Sequence, residues 1–356
     1  MGLNALSTWN LLQLLCGLGL LIAGAELLVR CAVSMAAKMK VRPLLIGLTV
    51  VALGSSAPQM TVSLQAAFND TSDIAVGSVI GSNIFNVLVT LGLSALIIPL
   101  RVSRQLVRLD IPLMILASAL VYGLALSKDL DRLDGVVLLC ALAVYLGMLL
   151  RQSRHSNHHH ASHDQPQHTW PRNVLMMLCA LLLLGLAGHL LLAAAVDVAT
   201  QLGLSERIIG LTIIAVSTSL PELATSLIAA FRGQREIAVG NVIGSNVFNL
   251  LGVLGFTALL APAPLSVSPN ALAFDLPVML GVAVLCLPVF YTGYRVTRVE
   301  GLLFLGLYLA YGLHVVSFTT GMPLAGKLEH LMLFYLLPAL LVFLLFSTLR
   351  AWRRQH

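Results

Sequence analysis

Charge is what this chain has least of. Only 10% of its 356 residues are Asp, Glu, Lys or Arg, 58% are hydrophobic, and the mean hydropathy is +0.93; soluble domains carry about 25% charged residues. A soluble fold of this length lacks the interior to hide so much apolar surface, so the composition excludes one and leaves a chain solvated by lipid. Cysteine is scarce and unpatterned: Cys16, Cys31, Cys140, Cys179 and Cys286 show no CxxC spacing, so neither a disulfide framework nor a zinc site is indicated. The first ten residues lack the basic region and cleavage site of a signal peptide, and the first apolar run is expected to be retained as a span. Neither a nucleophile–base constellation nor a metalloprotease motif lies beside the apolar runs, which argues against an enzyme.

Apolar stretches of the length that crosses hydrocarbon, about 20 residues, fall near 8–29, 43–67, 75–99, 109–126, 133–150, 173–196, 207–231, 236–260, 271–292, 299–319 and 330–349. The net charge of +6 would suggest a nucleic-acid partner if the basic residues shared one soluble face, but they occupy the gaps between these runs. Alternate gaps are unequal. One side holds Arg30, Lys38, Lys40, Arg42, Arg101, Arg104, Arg108, Arg151, Arg154, Arg172, Arg232, Arg235, Arg295, Arg298, Arg350, Arg353 and Arg354; the other holds Lys128, Arg132, Arg207 and Lys327. By the positive-inside rule the first side is cytoplasmic, with the amino terminus outside and the carboxyl terminus inside. That assignment requires the eleventh span. The chain then divides into a first membrane repeat (1–150), a His-rich cytoplasmic linker (151–172), a second repeat (173–319), and an extra helix with a basic tail (320–356). The linker carries His155, His158, His159, His160, His163 and His168. These could bind zinc or nickel, but without a scaffold or supporting shell they read as solvated linker.

The halves are related. Residues 47–86 and 210–249 align without gaps at an offset of 163 and share 22 of 40 positions, beyond what common hydrophobic composition produces. The likeness continues more weakly, from Asp110, Pro112 and Met114 to Asp275, Pro277 and Met279, and from Arg132, Asp134 and Gly135 to Arg298, Glu300 and Gly301. Five helices are duplicated. Because five is odd, the second copy enters the membrane from the opposite side, giving an all-α inverted repeat of five plus five spans with an eleventh appended. Inverted halves offer two near-equivalent conformations, each open to one face, around a site at their interface.

Each copy interrupts a helix with a small, hydroxylated patch containing proline, Gly54 to Gln59 around Pro58 and Ser217 to Glu222 around Pro221. Proline frees a main-chain carbonyl, and freed carbonyls at membrane depth are tolerated only against protein or a polar cavity. Hydroxyls, carbonyls and the one carboxylate of Glu222 make an all-oxygen environment suited to hard cations. The next helix carries GSVIGSNIFN (77–86) or GNVIGSNVFN (240–249), whose GxxxG spacing permits close helix approach. Ser82 and Asn86, like Ser245 and Asn249, lie four apart and share a helical face. Asn83 and Asn246 point to another face, where they are expected to hold helices together.

The doubled motif resembles the alpha repeats of the cation/calcium antiporter superfamily, particularly its prokaryotic sodium/calcium exchangers, over about nine-tenths of the chain. The resemblance implies ten core helices whose repeats cross in a diamond of cation sites. Its implied ligands are Ser55, Ser56, Gln59, Ser82 and Asn86 from the first copy and Thr218, Ser219, Glu222, Ser245 and Asn249 from the second, joined by the carbonyls of Ala52 and Ala215. The family usually has glutamate at both positions after the proline, whereas this chain has Gln59 and Glu222. Ser78 stands where the second copy has Asn241, and Ser217 stands where glycine is expected.

The function these readings support is secondary-active exchange of calcium for sodium by alternating access at the bilayer midplane of an inner membrane. The alternatives are proton-coupled sodium or calcium exchange and a cation sensor that transports nothing. Calcium and sodium, and in the alternative protons, are cargo. No cofactor is expected. The partners are these small cations and the bilayer. Glu26 and His189 occupy corresponding repeat positions and read as packing, gating or a proton path; Asp110 and Asp275, near helix starts, suit the helix dipole and receive no transport role.

Overall fold

In a computed structural model, the protein is described over residues 8–69, 71–155, 169–201, 213–291 and 293–319, with single positions beyond. Most of the expected eleventh span at 330–349, the tail from 350, and linker residues 156–168 lie outside the described residues. The described chain is helical: α1 (Thr8–Met39), α2 (Pro43–Ser55), α3 (Ala57–Phe68), α4 (Ser72–Ile97), α5 (Leu106–Ala125), α6 (Arg132–His155), α7 (Trp170–Gln201), α8 (Ala215–Thr218), α9 (Leu220–Phe231), α10 (Arg235–Leu260), α11 (Ala271–Tyr291) and α12 (Arg298–Thr319). Eight of these are long and apolar enough to span, and α2 with α3 makes a ninth, bent by 40° at Ser56. Its counterpart, α8 with α9, breaks at Ser219.

Helices α1 and α7 outrun the stretches that hydropathy marks, because apolar length reports the hydrocarbon thickness while the hydrogen-bond ladder continues past it. In α1 the first added residue, Arg30, is paired with a carboxylate. Glu26 accepts from Arg30 one turn on, at 2.6 Å, and from Arg232 at the end of α9. Its repeat counterpart His189 is exposed on α7.

Burial separates centre from rim. In α4 and α10, 83% of the apolar window is buried, against 33% in α1 and 28% in α6, α7 and α12. The outward faces of α1 and α7 present Leu11, Leu15, Leu18, Ile22, Leu175, Leu178, Leu182 and Leu186, as a lipid-solvated surface requires. Backbones meet at the centre: a Cβ on Gly244 of α10 would lie 2.6 Å from the Leu48 carbonyl oxygen of α2. The GxxxG spacing thus serves close approach between helices of opposite repeats.

Two short antiparallel pairings record the inversion. β1 (Leu100–Arg101) pairs with β4 (Arg295–Val296), and β2 (Asp129–Leu130) with β3 (Leu265–Ser266). The repeat relation carries β1 onto β3 and β2 onto β4, so it exchanges the two pairings. The weaker sequence likenesses have the same origin. Arg132 donates to the Ala261 carbonyl past the end of α10 at 3.4 Å, and Arg298 to the Ile97 carbonyl at the end of α4 at 3.5 Å. Gly135 and Gly301 leave room for those approaches: an added Cβ would meet the Gly255 and Gly92 carbonyl oxygens at 2.9 and 2.7 Å.

Candidate cation-binding site

The proline patches and the α4 and α10 motifs converge at the crossing of the repeats. Ser55, Ser56, Gln59, Ser82, Asn86, Thr218, Ser219, Glu222, Ser245 and Asn249 are all buried there, with the backbones of Ala52 and Ala215. Hydrogen bonds between copies knit the set together. Ser56 Oγ donates to Glu222 Oε1 at 3.2 Å, and the Ser82 and Ser219 hydroxyls are 2.7 Å apart. The Ser55 hydroxyl stands 3.1 Å from Asn241 Oδ1 and 3.3 Å from Ser245 Oγ. Asn249 Nδ2 reaches Ser82 Oγ at 3.4 Å.

The two predicted main-chain positions differ. Ala52 oxygen still accepts its helix bond from the Ser56 N–H at 3.0 Å, and the Ser55 and Ser245 hydroxyls approach it at 3.3 and 3.5 Å. In the second copy the Ser219 N–H turns instead to the Val216 oxygen at 3.0 Å. Ala215 oxygen then accepts from the side chains of Thr218 and Ser219 at 3.1 and 3.0 Å.

The amides are oriented with their nitrogens outward. Gln59 Nε2 donates to Ser78 Oγ at 3.0 Å and Ser63 Oγ at 3.3 Å, and Asn86 Nδ2 donates to Asn246 Oδ1 at 3.1 Å. As a result four buried acceptors, Gln59 Oε1, Asn86 Oδ1, Glu222 Oε2 and Asn249 Oδ1, have no donor. Burying such oxygens unpaired costs about 1–3 kcal/mol each, more for a charged one. A hard cation removes that cost for several at once, since oxygen is the ligand it takes. Among the described residues no three His, Cys, Asp or Glu side chains form a cluster. The centre is therefore hydroxyls, amides and the carboxylate of Glu222.

Three features here were not read from sequence as parts of the site. Ser78 and Asn241 support the residues after the prolines: Ser78 accepts from Gln59, while Asn241 donates to Ser226 Oγ at 2.9 Å and to the Glu222 main-chain oxygen at 3.2 Å. Asn83 and Asn246 bind reciprocally across the repeat axis, each amide nitrogen reaching the other's carbonyl at 3.4 and 3.2 Å, the helix-joining role their position suggested. Asn86 and Asn249 each open a π-turn, Asn86–Leu91 and Asn249–Val253, a local widening found often at functional sites and without a sequence signature.

Comparison with known proteins agrees with this architecture. The model of the sodium/calcium exchanger protein family matches residues 9–151 and 172–317. The putative antiporter CaxA of Alkalimonas amylolytica is 38% identical over 83% of this chain and 95% of its own length. Sodium/calcium exchanger MaX1 of Methanosarcina acetivorans is 32% identical over 85% of this chain and 97% of its own. A solved structure of the sodium-calcium exchanger NCX_Mj superposes with a TM-score of 0.73 at 29% identity, covering 85% of this chain and 97% of that one. Inner membrane protein YrbG of Escherichia coli is 36% identical over 76% of this chain and 86% of its own length. With both repeats matched and the fold shared over nearly the whole of a solved exchanger, this chain belongs to the sodium/calcium exchanger family.

Proposed function

We propose that the chain is a secondary antiporter of the inner membrane that moves calcium against sodium by alternating access. The observation that carries the reading is the set of four buried, donorless oxygens, Gln59 Oε1, Asn86 Oδ1, Glu222 Oε2 and Asn249 Oδ1, contributed two by each repeat. Serine and threonine hydroxyls and the Ala52 and Ala215 carbonyls complete the ligand set, and the breaks at Pro58 and Pro221 let the main chain take part. The carboxylate of Glu222 supplies the charge that holds the metal ion. Because the ligands come from inverted halves, a rearrangement that closes one half toward its face opens the other without dismantling the cage. Cargo bound on one side is then released on the other, and the site returns carrying the counter-ion.

The division into repeats at 1–150 and 173–319, with a linker at 151–172 and an extra helix and tail at 320–356, belongs to the same proposal. So does the orientation with the amino terminus outside and the carboxyl terminus cytoplasmic, supported by the basic residues gathered on one side. Flux into purified proteoliposomes, scanned over calcium, sodium and pH, tests the function. Calcium uptake driven by an opposing sodium gradient is the expected result. Calcium flux that follows only a proton gradient replaces sodium by protons as counter-ion, and binding without flux makes the protein a sensor.

A further inference from the structure

A second polar module is duplicated outside the cage. In each repeat a π-turn, Leu106–Asp110 or Ala271–Asp275, ends on an aspartate, with proline two residues later, an amide five residues earlier, and a tyrosine on the fifth helix of the repeat. In the second copy the module satisfies itself: Tyr311 donates to Asp275 Oδ1 at 3.1 Å and Asn270 Nδ2 to Asp275 Oδ2 at 3.3 Å. In the first copy the same positions are turned to other uses. Gln105 still lies beside Asp110, but its Nε2 donates to Gln152 Oε1 at 2.8 Å; the Tyr145 hydroxyl has no partner, and neither oxygen of the wholly buried Asp110 has a donor within hydrogen-bond distance. The helix dipole does not account for Asp110, which sits within a continuous helix and makes no capping bond.

We infer that Asp110, with the hydroxyl of Tyr145, forms a sodium site separate from the central cage. A carboxylate without donors in a protein interior needs a counter-charge. A calcium ion would leave the group net positive, whereas a monovalent ion neutralises it. A proton would pair one carboxylate oxygen with a neighbouring acceptor and leave the other oxygen still without a donor; a metal cation satisfies several acceptors together. Pro112 adds to them. It supplies no N–H, so at least one carbonyl of the π-turn is left without its intrahelical donor. The site also adjoins the cage: one turn past Asp110, Met114 Sδ accepts from Asn246 Nδ2 at 3.7 Å, and Asn246 in turn holds Asn86. The module in the second copy needs no ion, since its own donors cover both oxygens of Asp275.

Radioactive sodium binding to the purified full-length protein tests the site whichever ions the cage carries. The four proteins compared are the wild type, Asp110→Asn, Glu222→Gln and the double variant, each checked for monodispersity and thermal stability. Asp110→Asn should lose one sodium equivalent. Glu222→Gln should retain an equivalent that the double variant lacks. Tyr145→Phe, a milder change, should weaken that retained binding by about fivefold, the worth of one polar contact. Sodium binding that is unaltered by Asp110→Asn, or already absent in Glu222→Gln, overturns the proposal. A change confined to the pH dependence of binding assigns Asp110 to a proton and overturns it equally.

Discussion

Replacing Gln59 by glutamate should tighten calcium binding. Gln59 Oε1 already lies buried without a donor, while Nε2 is held by the hydroxyls of Ser63 and Ser78. In Gln59→Glu those hydroxyls can rotate from accepting to donating, so the second carboxylate oxygen keeps partners, and Ser78 gives up only its 3.0 Å bond to the Ala75 carbonyl. The gross attraction between calcium and one added carboxylate at about 2.5 Å is on the order of 10 kcal/mol at an effective dielectric near 20. Most of it is offset by dehydrating both partners. If about 3 kcal/mol survives, affinity rises about a hundredfold. The native cage, with calcium beside Glu222 alone, is left net positive, so the wild type should bind calcium weakly. The assay is calcium-dependent flux and equilibrium calcium binding for wild type and Gln59→Glu across a calcium titration. Unchanged affinity in a folded variant would refute the reasoning, because the first proline motif would then not touch the ion.

Other perturbations have equally definite outcomes. Glu222→Gln should abolish calcium flux, and in the wild type flux should fall as pH drops, because protons compete with cations for that carboxylate; a pH series on both proteins checks this. Gly244→Ala places a methyl 2.6 Å from the Leu48 oxygen and 2.8 Å from Ala52 Cβ, so it should cost about 1–3 kcal/mol in stability and most of the flux. Gly81→Ala, whose methyl meets Ala215 Cβ at 3.1 Å, should be milder in the same thermal-unfolding and flux assays. Deleting residues 155–163 should leave transport unchanged in vesicles, since none of the proposed ligands falls there, and lost flux at normal expression would point to metal regulation. A carboxyl-terminal fluorescent reporter should fold and fluoresce in the cytoplasm; activity of an export-dependent reporter there would remove the eleventh span.

Most of the fold was legible because its two strongest signals are physical. Apolar runs must be about as long as the hydrocarbon is thick, and a repeat of five helices must invert. Helix ends were less legible: α1 continues to Met39 through Arg30 and Lys38, which hydropathy treats as the start of a loop. The π-turns at Gly47–Val51, Leu106–Asp110 and Asn249–Val253 left no trace in the sequence pattern, since a single widened turn depends on what the neighbouring helix presents. Asp110 shows the consequence. Its place near a helix start suggested a dipole partner, but the π-turn preceding it in the same helix removes the free amino-terminal N–H groups that reading needs.

The site shows the same division between residue type and relation. Which side chains gather at the crossing could be read from two aligned motifs; how they share donors could not. Gln59 and Ser78 both depart from their second-copy counterparts, and in sequence they are two separate changes. In space they are one. Glu222 needs no donor to release and stands beside Asn241, whose amide nitrogen is free to bind Ser226 and the Glu222 main chain. Gln59 must place its own nitrogen, and Ser78 is the acceptor that takes it, leaving the amide oxygen bare. An asparagine at position 78 would bring a second amide nitrogen against the first unless its oxygen turned inward. On this argument Ser78→Asn alone should disturb the cage, with reduced flux and lower stability, whereas in Gln59→Glu the same asparagine recreates the second-copy arrangement and should be tolerated. A double-mutant cycle on calcium binding measures the coupling. Additive effects of the two substitutions would show that positions 59 and 78 do not share a proton-donor network.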